Sequence, residues 1–173
     1  GTAYGIYSDA STTTEKLATI YGGTNAIYVA NGTTTLNNGK FDGARLDEEQ
    51  RTLRQFYRQL LRVARTEKAI TQGEMYDLEY AQGEGFNRHE HYAYIRKYKK
   101  EILLVVLNFD DRQCDISVRI PQEAFAHLQQ PEYAMVEAVD LLTNTKYTFP
   151  FSAHTPVCLT LPAWKGMILK IKQ

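Results

Sequence analysis

Several groupings in this sequence have the residue types and spacing that chemistry uses. In "NRHEHY", residues 87–92, His89 and His91 have the His-x-His spacing that sets two imidazoles on one face of a strand, the beginning of a metal site. A third ligand is lacking: on a regular strand Glu90 points to the opposite face, and His127 and His154 are remote in sequence. Polar histidines at the entry to a hairpin are the commoner reading. Adjacent carboxylates, the raw material of acid–base work, occur at Glu48-Glu49 and Asp110-Asp111. The first pair falls in the opening turn of a helix and the second in a tight turn, and those structural roles already account for them. "YGGTNA" lacks the Lys and the spacing of a phosphate-binding loop. No catalytic residue, metal ligand or cofactor site is therefore assigned. Along "HYAYIRKY", residues 91–98, Tyr92, Tyr94 and Tyr98 alternate onto one side with Arg96 between them. Facing solvent they would be a stacking platform; facing a second sheet they would be core.

These groups must be positioned by a chain of 173 residues, one medium domain or a domain with an appended piece. A 43% apolar content suffices for a substantial core. Lys and Arg number 20 against 20 Asp and Glu, which argues against a nucleic-acid footprint and a basic membrane patch. No apolar run reaches the length of a membrane-spanning helix. The start "GTAYG", without Met or a leader pattern, leads us to expect an internal slice of a longer protein; the compartment stays open. Cys114 and Cys158 would bridge only if their strands are neighbours, and two thiols are the simpler expectation.

Three zones follow along the chain. Residues 1–45 are rich in Gly, Thr and Asn, with one short strand expected in "NAIYVANG" and otherwise irregular loop. The "NGT" triplet at 31–33 is a glycosylation sequon by pattern, and a plain surface loop is the simpler reading. Residues 46–66 predict a helix with Asp47 as N-cap, Gln50 completing a capping box, and Glu48 and Glu49 at the positive end of the dipole. Leu53, Phe56, Tyr57, Leu60, Leu61 and Ala64 follow the spacing of one buried face. Arg51, Arg54, Arg58, Arg62 and Arg65 fill a solvated side. From residue 67 the period becomes two. Strands are expected at 74–80, 91–98, 101–109, 113–120, 133–142, 146–151, 157–162 and 166–172, with a short helix at 121–130 opened by Pro121. In "EILLVVLNF" both faces are apolar, so that strand is central in its sheet and covered on each side.

A capped amphipathic helix followed by these strands, with "YAYIRKY", a short turn and "LLVVLNF", then "DLLTNTKYTF" and "LPAWKGMILKI", resembles the C-terminal portion of alpha-amylase-family glycoside hydrolases. The resemblance covers residues 46–173 and extends only loosely over 1–45. It implies three parts: the end of a (β/α)8 barrel in 1–45, the last barrel helix in 46–66, and a C-terminal β-sandwich domain in 67–173. The family's catalytic carboxylates sit on earlier barrel strands, and no matching motif occurs here. Hydrolysis of a glycosidic bond needs two carboxylates roughly 5–10 Å apart, so the chain itself is not expected to hydrolyse glycosides.

The expected fold is mainly β: an antiparallel eight-stranded Greek-key sandwich preceded by one long amphipathic helix and an irregular N-terminal segment. The expected role is a non-catalytic domain that stabilises the barrel of an enzyme acting on α-glucans. The missing catalytic barrel of the same polypeptide is its expected partner. Alpha-glucan is a candidate ligand at Tyr92, Tyr94, Tyr98 and Trp164. The apolar helix face, left without the barrel, would favour a homodimer. Two rivals remain: a free-standing carbohydrate-binding module, which needs exposed aromatics, and an immunoglobulin-like interaction domain, which needs an apolar patch on one sheet.

Overall fold

The computed structural model describes residues 46–172 in full and, before them, the backbone of two strands, β1 (Tyr4–Asp9) and β2 (Asn25–Asn31). Residues 1–46 and 47–173 form separate compact units. In the first, "NAIYVAN" is the expected strand. A second strand, Tyr4–Asp9, which the sequence does not signal, pairs parallel to it, with Ile6 opposite Ile27. The segment is thus not wholly irregular. The sequon at 31–33 lies outside the residues whose side chains are described.

The second unit opens with α1 (Glu48–Thr66). Its start follows from local chemistry: Asp47 Oδ1 accepts from the Gln50 amide at 2.8 Å, and Gln50 Oε1 accepts from the Asp47 amide at 3.3 Å, a reciprocal capping box. A short α2 (Lys68–Thr71), absent from the sequence reading, follows at once. Gly73 ends it where only glycine fits, since a Cβ there would lie 2.3 Å from the Ala69 carbonyl oxygen. The remaining elements are β3 (Glu74–Asp77), a 3₁₀ turn (Glu79–Ala81), β4 (His91–Tyr98), β5 (Glu101–Asn108), β6 (Cys114–Val118), α3 (Gln122–His127), β7 (Tyr133–Asp140), β8 (Lys146–Phe151), β9 (Val157–Leu161) and β10 (Gly166–Ile171). All eight expected strands are present. Pro121 caps α3 in extended backbone rather than occupying its first helical position.

Six strands form one antiparallel sheet in the order β3-β4-β5-β10-β7-β8, and β6-β9 form the facing pair. The chain crosses between the two sheets after β5, β6, β8 and β9. Strand β5 is central, and its two apolar faces now have separate partners. Ile102, Leu104 and Val106 enter the main core with Ile116, Val118, Phe149, Phe151, Leu161 and the α3 residue Phe125. Leu103 and Val105 enter a second cluster with Ile168, Val63 and Ala69, beneath α1 and α2. Alternation on a pleated strand thus divides one apolar run between two layers.

The docking of α1 departs from its sequence pattern. Its C-terminal half touches the sheet through Val63, Leu60 and the Gln59 side chain, which donates to the Leu141 carbonyl at 2.7 Å. Leu53, Phe56, Tyr57 and Leu61, expected on the buried face, are exposed, Leu61 to 66%. Val63 and Gln59 lie to one side of the apolar stripe, so the helix is held by the stripe's margin and its centre points away from the sandwich.

Candidate functional site

At one end of the sandwich the β5–β6 turn and the β9–β10 loop are sewn together by Asn108, which is only 1% exposed. Its Nδ2 donates to the carbonyls of Arg112, Pro162 and Leu161 at 2.9, 3.0 and 3.2 Å, and its Oδ1 accepts from the Asp110 amide at 2.9 Å. The Trp164 amide in turn donates to the Asp110 carbonyl at 3.1 Å. Trp164 is held at φ 55°, a left-handed conformation that costs about 1–2 kcal/mol in a residue with a Cβ. Trp164 is 67% exposed, and Phe109 on the adjoining turn is exposed as well. This end therefore presents aromatic surface on a buttressed backbone.

The carboxylates here are committed elsewhere. Asp110 accepts from the Arg112 amide at 3.0 Å and from its Nε at 3.2 Å, and the guanidinium holds its carboxyl well below the usual range against an opposing effect of burial. Asp111 lies on the surface, 3.5 Å from the same guanidinium. Glu48 pairs with Arg51 at 3.5 Å in the first turn of α1. Buried Asp140 accepts from Thr143 Oγ1 at 2.6 Å and from the Ile168 and Leu142 amides, closing the turn after β7.

His89 and His91 do not share a face. His89 lies exposed in the turn before β4, whereas His91 is buried at its first position with Nδ1 accepting from the Asn87 amide at 3.1 Å. That bond places the neutral ring's proton on Nε2, which has no hydrogen-bond partner. Burial lowers the His91 pKa, opposed by Glu90 and Asp110. Among the described residues no group of three or more His, Cys, Asp or Glu is placed to hold a metal ion.

Tyr92, Tyr94 and Tyr98 all lie on the face of β4 turned away from the main core, each partly buried. Tyr94 and Tyr98 pack into the cluster under α1 and α2, so their apolar partner is a helical layer rather than a second sheet. Arg96 between them donates to the Ala69, Ile70 and Gly73 carbonyls at 2.9, 2.6 and 2.8 Å, closing the end of α2. Burial raises the Tyr94 pKa, and the same effect raises that of Tyr92 with help from Asp77.

Cys114 and Cys158 sit on paired strands, yet Cys158 is opposite Ser117, three positions away from Cys114. Cys158 is exposed and Cys114 half-buried, and both are free thiols. Burial and the neighbouring Asp110 push the Cys114 thiol up. The outward face of this pair is polar, with Thr160 Oγ1 donating to Asp115 Oδ1 at 2.6 Å. The apolar sheet patch expected of an interaction domain is not on this face.

The sequence reading missed one aromatic grouping. Tyr76 and Tyr80, which the period-two pattern of 74–80 sets on a single strand, come together because the chain leaves β3 for a 3₁₀ turn. Their spacing of four residues was the available signal.

Residues 86–168 match the family described as Maltogenic Amylase, C-terminal domain. No curated protein sequence matches the chain. Among solved structures, an AmyP variant in complex with maltotriose superposes with a TM-score of 0.54 at 18% identity, over 75% of this chain and 22% of its own. AmyP with maltose gives the same TM-score, 0.54, and identity, 18%, over 76% of this chain and 23% of its own. An Anoxybacillus alpha-amylase gives a TM-score of 0.50 at 15% identity, over 74% of this chain and 23% of its own. At these identities the structures establish the fold, and this chain spans under a quarter of their length. Over residues 86–168, then, the sandwich of this chain is similar to the C-terminal domain of the maltogenic amylase family.

Proposed function

We propose that the chain is a non-catalytic supporting part of an enzyme acting on α-glucans, and that it seats on that enzyme's catalytic barrel through α1. One observation carries this reading: Leu53, Phe56, Tyr57 and Leu61 form an exposed stripe on a helix held to the sandwich only by its margin. An apolar stripe of this kind belongs against another body. The family match to maltogenic amylase, and the maltose and maltotriose held by AmyP, support an α-glucan as the substrate class. The parallel pairing of β1 and β2 supports assigning residues 1–45 to the end of such a barrel, because parallel strands belong to sheets covered on both faces. Without the barrel, a second copy of the chain is the natural cover for the stripe.

Trp164 is a glucan contact in this reading, with its strained backbone serving to present the ring. Tyr92, Tyr94 and Tyr98 contribute mainly to the layer beneath α1. The test is a reducing-sugar assay of the purified chain with malto-oligosaccharides. No release is expected, and sustained turnover overturns the non-catalytic reading.

A further inference from the structure

The open edge of the sandwich carries an aromatic row assembled from three elements. Tyr76 stands on the edge strand β3, Tyr80 on the 3₁₀ turn, and His127 at the end of α3. The two phenol hydroxyls are hydrogen-bonded at 2.7 Å. Ring centroids are 6.4 Å apart between Tyr80 and Tyr76 and 5.3 Å between Tyr76 and His127, with tilts of 56° and 51°. Tyr76 leans on the main core, while Tyr80 is 58% exposed.

The row is held in place from several sides. The Glu79 amide donates to Asp77 Oδ1 at 2.8 Å, closing the turn that carries Tyr80. Arg88 donates to the carbonyls of Tyr80 and Gln82 at 3.1 and 2.6 Å. Lys97 donates to the Leu128 carbonyl and pins the end of α3, and His127 Nε2 lies 3.4 Å from Glu74 Oε2. The hydrogen bond that the Tyr80 hydroxyl shares with Tyr76, with smaller effects of burial and of Glu123, pushes the Tyr80 hydroxyl up to about 12, so it stays protonated and uncharged.

We propose that Tyr80, Tyr76 and His127 form a binding site for a neutral, curved oligosaccharide of the α-linked glucan class. Tyr80 and His127 are exposed on either side of the half-buried Tyr76, and each carries an apolar ring face beside a polar edge, the combination that a sugar ring with its apolar C–H face and hydroxyl rim complements. Rings already fixed by hydrogen bonds lose little freedom when a ligand settles on them. Successive tilts above 50° do not suit a flat ribbon such as a β-1,4-linked chain, which presents parallel faces; a chain that turns at every residue follows them. Glu74 and Glu123 at the rim can accept sugar hydroxyls and repel anionic saccharides. The choice of α-glucan within the curved class rests on the proposed function above; the site itself does not.

The test is titration of the full chain with maltoheptaose, followed through its amide NMR shifts, with cellohexaose as the flat control. Saturable shifts are expected at residues 75–81 and 124–128. Tyr80→Ala should weaken binding about tenfold, and Tyr76→Phe, which keeps the ring and loses the hydroxyl pairing, should weaken it less. Unaltered amide dispersion in Tyr80→Ala establishes that its fold is kept. Absence of shifts in both segments, wild-type affinity in Tyr80→Ala, or equal binding of cellohexaose overturns the proposal. None of these outcomes bears on the reducing-sugar assay, so the two readings fail separately.

Discussion

The side-chain amide of Asn108 donates to the carbonyl of Pro162, 54 positions away in sequence, at 3.0 Å. With its bonds to Arg112, Leu161 and Asp110, this buried residue fastens the end of the central strand to two loops and so sets the frame on which Trp164 is displayed. A single polar side chain here replaces the ladder that β5 loses where it ends.

Asn108→Ala should therefore destabilise the sandwich by roughly 2–4 kcal/mol, because three carbonyls and one amide lose their partner in a water-poor site. Asn108→Asp should be at least as damaging, since it sets a carboxylate among those carbonyl oxygens. Urea unfolding followed by circular dichroism measures both, and a change under 1 kcal/mol in Asn108→Ala would show that the loops hold without it.

Substitutions along α1 should separate its docked margin from its bare stripe. Val63→Ala should cost roughly 1–3 kcal/mol through lost burial, whereas Phe56→Ser should lie within about 0.5 kcal/mol in the dilute chain. At high concentration the order should reverse: sedimentation should show self-association that Phe56→Ser weakens and Val63→Ala leaves in place. Equal costs for the two in dilute solution would place the stripe against the sandwich.

The pH dependence of stability should carry the mark of His91. Its folded pKa lies below that of the unfolded chain, about 6.5. Its contribution is then complete above that value and is lost as pH falls towards the folded pKa, because the unfolded state takes up the proton first. Protonation of Nδ1 would also set a donor against the Asn87 amide. Urea midpoints should fall between pH 7.5 and 5.5 in the native chain. His91→Gln, which does not titrate, should show a flatter profile; an unchanged slope would assign the effect to other groups.

Gly73→Ala should destabilise by roughly 2–3 kcal/mol. A methyl group there meets the carbonyl oxygens of Ala69 at 2.3 Å and Lys97 at 2.6 Å, both backbone atoms that cannot turn aside. Thermal unfolding of the variant is the direct measurement, and a melting temperature unchanged from the native chain would mean that α2 shifts freely on β4.

Much of this architecture was legible in the chain because it is written at short range. The Asp47–Gln50 capping box, the period-two strands and the two-sided apolar run of β5 depend on residues within a few positions of each other, and the structure contains them all. The position of β5 at the centre of its sheet also followed, since a strand with two apolar faces needs two covers. Other features escaped for a physical reason. Strand β1 takes its identity from pairing with β2 across 15 intervening residues, and nothing local distinguishes it.

The candidate sites divide the same way. Tyr92, Tyr94 and Tyr98 were placed on one face by alternation alone, but what covers that face is settled by where α1 and α2 lie. The free state of Cys114 and Cys158 turns on a register three residues out of line, which composition does not encode. The Tyr80–Tyr76–His127 row needs an edge strand, a turn and a helix to converge. Sequence by itself determined α1, the eight strands of the sandwich and which of their faces are apolar, because backbone geometry and local hydrogen bonds act over a few residues. Tertiary structure decided which apolar face is covered and which aromatics meet, because those depend on contacts between residues that only packing brings together.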